Sequence, residues 1–177
     1  MLDFQFEVLT TYFNDGNRKP QRSSYNNAHA YLSAPYGIYK TSNGYIAIAM
    51  TPLPQLGELL DLNSIKDLHD QKEWFTKRDE IKKDIGDWIE KQTTEHWLSI
   101  LEPADIWCAK VLDWETMVKH EGFKILDMVQ RIKRDDGLDI ETLRCPIKID
   151  GEIFKSSKAA PKIGNDNNSI MKEFGIS

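Results

Sequence analysis

Apolar and polar residues alternate with a period of two from Tyr36 to Met50, and this stretch sets the frame for the rest of the chain. On one arm Tyr36, Ile38 and Lys40 alternate with Gly37 and Tyr39. On the other, Ile46, Ile48 and Met50 alternate with Tyr45, Ala47 and Ala49. Asn43-Gly44 lies between them, a dipeptide that tolerates the positive φ angles of a type I′ turn, so the pattern predicts a β-hairpin closed there. Pro35 stands just before the first strand, where a missing N–H removes no ladder bond.

The remaining chain reads as helices and short strands. Leu2, Phe6, Leu9 and Phe13 share one face of an expected helix over 2–13, with Phe4, Val8 and Tyr12 beside them. An apolar surface that broad asks for burial on more than one side, so self-association is expected where it stays unpaired. Residues 14–34 carry Gly, Asn, Ser and Pro without an apolar period and read as a long linker. Thr51 is expected to cap a helix opened by Pro52, with Leu53, Leu56 and Leu60 facing the core. Residues 63–75 suggest one or two short helices. Ile81, Ile85, Trp88 and Ile89 mark a helix over 76–91, and Thr93 or Thr94 caps the next, with Trp97, Leu98 and Leu101 inward. Residues 106–111 are apolar enough for a strand, and Asp113 caps a short helix after them. Alternation returns over 126–147 as a second hairpin turned at Asp136-Gly137, and a further turn is expected at Asp150-Gly151. Asn165 or Asn167 is expected to cap a last helix that presents Ile170, Met171 and Phe174 and stops at Gly175. Strands and helices in this order predict an α+β fold.

Composition narrows the function. Of 177 residues, 40% are hydrophobic, enough for a packed core. Lys and Arg number 23 against 28 Asp and Glu, a net charge of −5, which gives no electrostatic footprint for nucleic acid or for an anionic membrane. No run approaches the roughly 20 apolar residues of a membrane span. The N-terminus has neither the basic region nor the apolar core of a signal peptide, and the sparse cysteines lead to the expectation of a cytoplasmic protein. Cys108 and Cys145 sit in apolar stretches and read as reduced, buried core residues.

Candidate chemistry is sparse. The chain has no GxGxxG, P-loop, HExxH, CxxC or GxSxG motif. His29, His69, His96 and His120 are scattered without a second ligand at metal spacing, and read as surface or helix-face residues. Glu115, Glu121, Asp135 and Asp136 suit caps and turns better than acid–base work. Trp74, Trp88, Trp97, Trp107 and Trp114 suit core and interface better than base stacking. Arg18, Lys19 and Arg22 form a small basic cluster in the linker. No catalytic residue and no metal site is expected.

The order of several short motifs resembles the family III CoA-transferases, the group that includes carnitine and formyl-CoA transferases and α-methylacyl-CoA racemases. Arg22, Asn26 and Ala34-Pro35-Tyr36-Gly37-Ile38-Tyr39 are similar to the family's R-x-G-N and aPYGxY segment. Asn43-Gly44-Tyr45-Ile46-Ala47-Ile48-Ala49 resembles its DG-x-i-a-i-a strand. Arg78, Trp88, Thr94 and Trp97 resemble a helix-pair pattern, and Ala104 to Val111 a following strand. Pro146-Ile147, Ala160-Pro161-Lys162-Ile163-Gly164-Asn165 and Lys172-Glu173-Phe174-Gly175 resemble the closing motifs. The departures are Ser23 for glycine, Asn43 for aspartate, and Asn165-Asp166 for a glutamate–histidine pair.

The resemblance implies a division into 1–34 (end of a large-domain portion and crossing linker), 35–145 (small α+β domain) and 146–177 (return linker and C-terminal helix of the large domain). It implies the C-terminal portion of an enzyme that moves CoA between an acyl-CoA and a carboxylic acid. The family's catalytic aspartate and most CoA contacts lie upstream, so the chain is expected to be inactive by itself and to bind no cofactor alone, CoA or acyl-CoA being a substrate of the complete enzyme. Implied partners are the N-terminal Rossmann-like portion and a second copy in an interlocked dimer, without nucleic acid or membrane. A racemase fragment and a non-enzymatic dimerisation domain are the alternatives. The resemblance places Pro35, Tyr36 and Gly37 at the substrate, at the position of a loop that closes over the reaction intermediate in formyl-CoA transferases. The other reading of Tyr36 is that it packs the hairpin against the helix over 52–61.

Overall fold

The structure is a computed structural model that describes residues 6–25, 29–134 and 136–176, with the backbone alone at Phe6 and Glu7. The fold is α+β. Two compact units divide the chain, residues 1–112 and 113–177.

In the first unit, helix α1 (Phe6–Asn14) leads into the linker, and strands β1 (Gly37–Thr41) and β2 (Gly44–Ile48) form the expected hairpin. Strand β3 (Cys108–Lys110) adds to β2, so the antiparallel sheet has the order β1-β2-β3. Between β2 and β3 run α2 (Leu53–Leu60), α3 (Asn63–Lys66), α4 (Gln71–Thr76), α5 (Arg78–Ile89) and α6 (Thr94–Leu101). One face of the hairpin, Tyr39, Ile46 and Ile48, is buried with Leu53, Leu56, Leu60, Ile81, Ile85, Ile89, Trp97 and Leu101 from the helices. Fully burying each such side chain is worth about 1.5–3 kcal/mol, so this contact is what holds helices to sheet. The other face of the sheet stays open: Ile38 and Tyr45 are 52% and 51% exposed.

Three local expectations change. Thr41 pairs with Gly44, so the hairpin loop is Ser42-Asn43, and neither Asn43 nor Gly44 adopts positive φ. Asn43 is committed elsewhere: its Oδ1 accepts the Thr94 amide at 2.9 Å and its Nδ2 donates to Glu95 at 2.7 Å. The turn is thus shaped by the start of α6 rather than by a type I′ preference. Thr51 is not the cap of α2, which starts at Leu53 after Pro52 without a side-chain cap bond, and Pro54 lacks the amide that a hydroxyl at position 51 would meet three residues on. Leu9 and Phe13 of α1 are exposed, so the apolar face expected there is present; the reading for residues 2–5 falls outside the described residues.

The second unit holds α7 (Trp114–Lys119), α8 (Glu121–Ile125), the hairpin β4 (Val129–Lys133) and β5 (Asp139–Leu143), the short pair β6 (Lys148–Ile149) and β7 (Glu152–Ile153), and α9 (Asn167–Phe174). Asp113 caps α7 through the Thr116 amide at 2.7 Å, as its sequence predicts. Asp150 and Gly151 both take positive φ, 50° and 84°, at the β6–β7 turn. Arg144 is the buried anchor, donating to the carbonyls of Leu126 at 2.5 Å, Cys145 at 2.7 Å and Asp127 at 2.8 Å. Neither asparagine caps α9. Asp166 occupies the cap position without a side-chain cap bond, its carboxylate turned to Lys158 at 3.2 Å. The cysteines depart from expectation in burial alone: both are free, but Cys108 is half-buried and Cys145 exposed.

Candidate functional site

The linker is pinned at its first half by two adjacent residues of α5. Asp79 accepts the Ser23 hydroxyl at 2.6 Å and the Ser24 amide at 3.0 Å. The Ser23 bond, then the Ser24 amide, holds the Asp79 carboxyl below its ordinary range, against the opposing effect of burial. Arg78, itself buried, donates to the Ala30 carbonyl at 2.9 Å and to the Gln21 carbonyl, and its guanidinium lies 4.3 Å from the centre of the Phe75 ring. Tyr25 covers Gly86 so closely that a Cβ there would come within 2.5 Å of the tyrosine oxygen. The described residues of the linker therefore form a laid-down strap, held at Gln21, Ser23, Ser24 and Ala30 by hydrogen bonds to α5.

The strap ends at Pro35, which is buried. Its carbonyl accepts the Tyr39 hydroxyl at 2.5 Å, and Tyr39 is fully buried, so burial pushes that phenol well above its ordinary pKa. Tyr36 is half-buried and its amide donates to the Ser33 carbonyl at 3.2 Å. Gly37 is buried with ordinary negative-φ backbone, and a Cβ there would make only van der Waals contact with the Tyr39 ring at 3.6 Å.

Tyr36 borders two hollows. The larger, about 700 Å³, lies over the open sheet face; the hairpin supplies Gly37, Ile38, Ala47 and Ala49, the β3 side supplies Trp107 and Cys108, and the strap supplies Arg22 and His29. That volume is in the range of small-molecule pockets. The smaller, about 400 Å³, lies between Tyr36, Met50, Pro52, Trp74 and Phe75. Both sequence readings of Tyr36, pocket wall and packing toward the start of α2, thus have a place in its surroundings. Of the three predicted site residues, Tyr36 and Gly37 line the large cleft, while Pro35 is buried and outside its lining.

The cleft draws in residues that the sequence pattern undervalued. Trp107 is 63% exposed and not core. His29 lines the cleft rather than sitting on a plain surface, and its Nδ1 accepts the Tyr31 amide at 3.2 Å, which leaves the ring proton of the neutral form on Nε2. Burial, and after it the nearby Glu102 carboxylate, push the pKa of the Cys108 thiol above its ordinary value. Of the other candidates, His120 caps α8, His96 stacks edge-on against Trp97, and Glu115 pairs with Lys119. Asp135 is outside the described residues. Among the described residues no cluster of three or more His, Cys, Asp or Glu could hold a metal ion, and no helix is long and apolar enough to cross a membrane.

The sequence pattern of CoA-transferase family III matches residues 1–167. The chain belongs to that family. Human alpha-methylacyl-CoA racemase is 25% identical over 148 residues, which is 80% of this chain and 37% of the racemase. Among solved structures, this family III chain superposes on Rv3272 from Mycobacterium tuberculosis with a TM-score of 0.64 at 17% identity, covering 94% of this chain and 44% of that one. A CaiB/BaiF family protein from Brucella suis gives a TM-score of 0.60 at 19% identity, over 96% of this chain and 44% of the other. These likenesses establish the fold, and the chain spans well under half the length of the relatives it matches.

Proposed function

We propose that this chain is the C-terminal portion of a family III enzyme that moves CoA between an acyl-CoA and a carboxylic acid, and that it is not catalytic by itself. The observation that carries the reading is the family match over residues 1–167, set beside the coverage of well under half of each relative. In this reading the catalytic carboxylate and most of the CoA site come from an N-terminal Rossmann-like portion, and a second copy completes an interlocked dimer in the cytoplasm. CoA is a substrate of the complete enzyme and not a cofactor of this chain. Tyr36 and Gly37 form part of the wall against which the acyl or carboxylate group rests, with the buried Pro35 restricting the backbone just before them.

The test is a transfer assay on the chain alone and after co-expression with the N-terminal portion, across a panel of carboxylates. Transfer only in the combined protein supports the reading; equal turnover by the chain alone overturns it. A Tyr36→Ala variant of the combined protein should raise KM for the carboxylate, and unchanged kcat and KM for both substrates would remove Tyr36 from the pocket. The named human relative favours a second reading, epimerisation next to a thioester carbonyl. Exchange of the α-proton into deuterated water without CoA transfer would select it.

A further inference from the structure

Three residues of α5 meet the strap. Arg78 donates to the Gln21 and Ala30 carbonyls, Asp79 accepts from Ser23 and Ser24, and Gly86 lies against Tyr25. At 3.6 residues per turn, Lys82 falls about 40° from Arg78, about 60° from Asp79 and about 40° from Gly86 around the helix axis. It therefore stands in the middle of the surface on which the strap lies. Its side chain is fully buried, and its Nζ has no hydrogen-bond partner among the described residues. Lys83, the next residue, is exposed and pairs with Asp87 at 2.6 Å.

An ammonium group in that position lacks a counter-ion. The carboxylate that acts on it, Asp79, is committed to the Ser23 hydroxyl and the Ser24 amide, and Arg78 adds a second positive charge. The elements packed against α5 bring carboxylates that are paired elsewhere. Glu73 of α4 meets Lys77, Asp61 beside α3 meets Lys66, and Glu90 at the end of α5 meets Lys40 of β1. β1 also brings Tyr39, whose hydroxyl is bonded to Pro35, and the strap brings the Tyr25 phenol. A buried charge without a partner is strongly disfavoured, so the closed strap selects the neutral amine. Lifting the strap hydrates that amine and lets it regain its proton. The same strap supplies Arg22 and His29 to the large cleft, so its position also decides what lines the cleft.

We propose that the strap is a proton-coupled latch: when it lifts from α5, Lys82 takes up one proton from water, and when it closes, Lys82 gives that proton back while Arg22 and His29 return to the cleft. Burial and then Arg78 lower the Lys82 pKa from 10.5, so the closed strap gains stability as pH rises between the lowered value and 10.5. Tyr25 acts in the opposite direction. Burial and then Asp87 raise its phenol from 10.0, so its ionisation loosens the strap above that value. Asp79 loosens the strap only in acid, below 3.8. The latch belongs to the chain itself and does not depend on the transferase reading.

The experiment is amide hydrogen exchange by NMR on the full 177-residue chain, between about pH 8 and 10, with each rate divided by that of the same amide in an unstructured peptide. The reporter is the Ser24 amide, which donates to Asp79, and the reference is the set of β1–β2 ladder amides. Ser24 should be less protected than the ladder, and its protection should rise about tenfold over the interval, one proton allowing at most about tenfold per pH unit. Lys82→Met keeps the apolar stem without the charge, so Ser24 protection should become independent of pH and at least as high as the parent's highest value. Lys82→Arg carries a permanent charge and should also lose the pH dependence, but at low protection. A side chain that served only as packing would not move the two variants to opposite levels with the same loss of slope. Flat Ser24 protection in the parent, a slope that survives in Lys82→Met, or Ser24 exchanging only together with the ladder would each overturn the proposal. Should Lys82→Arg not fold, the slope in the parent and in Lys82→Met decides alone.

Discussion

Ser23 donates its hydroxyl to the carboxylate of Asp79 at 2.6 Å, across 56 positions of sequence, and both groups belong to the attachment of the strap to α5. The resembled family pattern has glycine where this chain has Ser23, so the departure supplies an anchor rather than a defect. Ser23→Ala or Ser23→Gly should cost about 1–2 kcal/mol, the range for a hydrogen bond to a partly exposed charged group. Chemical denaturation checks this. Because the Asp79 carboxyl is held below its ordinary pKa, the stability it contributes is complete above the ordinary value of 3.8 and is lost as pH falls through the depressed one. Asp79→Asn should remove that part of the acid sensitivity, and a stability profile of the variant below pH 3.8 that still parallels the parent's would refute it.

Lys82 is fully buried on α5, and its Nζ has no hydrogen-bond partner among the described residues. Burial, reinforced by Arg78 one turn away, lowers its pKa from 10.5. The unfolded chain then binds more protons than the folded one between the lowered value and 10.5, so stability increases as pH rises through that window. Lys82→Met keeps the apolar stem and removes the unpaired amine. It should stabilise the protein by about 1–3 kcal/mol and flatten the alkaline profile, as read from thermal midpoints between neutral and alkaline pH.

Gly57 lies in α2 where a Cβ would come within 2.8 Å of the Lys66 backbone nitrogen and 3.0 Å of the Ile65 side chain. Backbone atoms cannot swing aside as a side-chain end does. Gly57→Ala should therefore destabilise by about 1–3 kcal/mol despite the better helix propensity of alanine, measured by urea unfolding.

Gly37 gives the opposite expectation. Its backbone does not need glycine, and the added methyl meets the Tyr39 ring at 3.6 Å. Gly37→Ala should fold with a thermal midpoint near that of the parent. Any change in ligand affinity of that variant then reports on the cleft and not on the fold.

Glu95 is the acid that the turn and β3 share. The Lys110 ammonium at 2.8 Å, followed by Asn43, lowers its pKa to about 2. Lys110→Met should raise the titration midpoint toward the ordinary glutamate value of 4.5, and Asn43→Ala should do so less, as read from the side-chain carboxyl shift. An unchanged midpoint in both variants would show that neither contact persists in solution.

The sequence by itself determined the elements whose signals are local. Period-two alternation placed the hairpins, and period-3.6 apolar faces placed α2, α5 and α6. Asp113 announced its cap because an aspartate before a helix meets an amide within three residues. The short motifs from Arg22 to Gly175, weak one by one, identified the family by their order. Only the tertiary structure decided the rest, and in each case a residue distant in sequence outweighed a local preference. Asn43 abandoned the type I′ turn because the Thr94 amide and Glu95 lay within reach of its side chain. The linker, featureless by pattern, became a strap because Arg78 and Asp79 present a guanidinium and a carboxylate side by side to its carbonyls, amide and hydroxyl. Tyr36 and Gly37 were singled out through the aPYGxY likeness, and the structure places both in the lining of the large cleft. Arg22, His29 and Trp107 were not assigned to it, because a cleft is made by strands lying side by side, and register across a sheet is fixed by pairing between segments far apart in the chain.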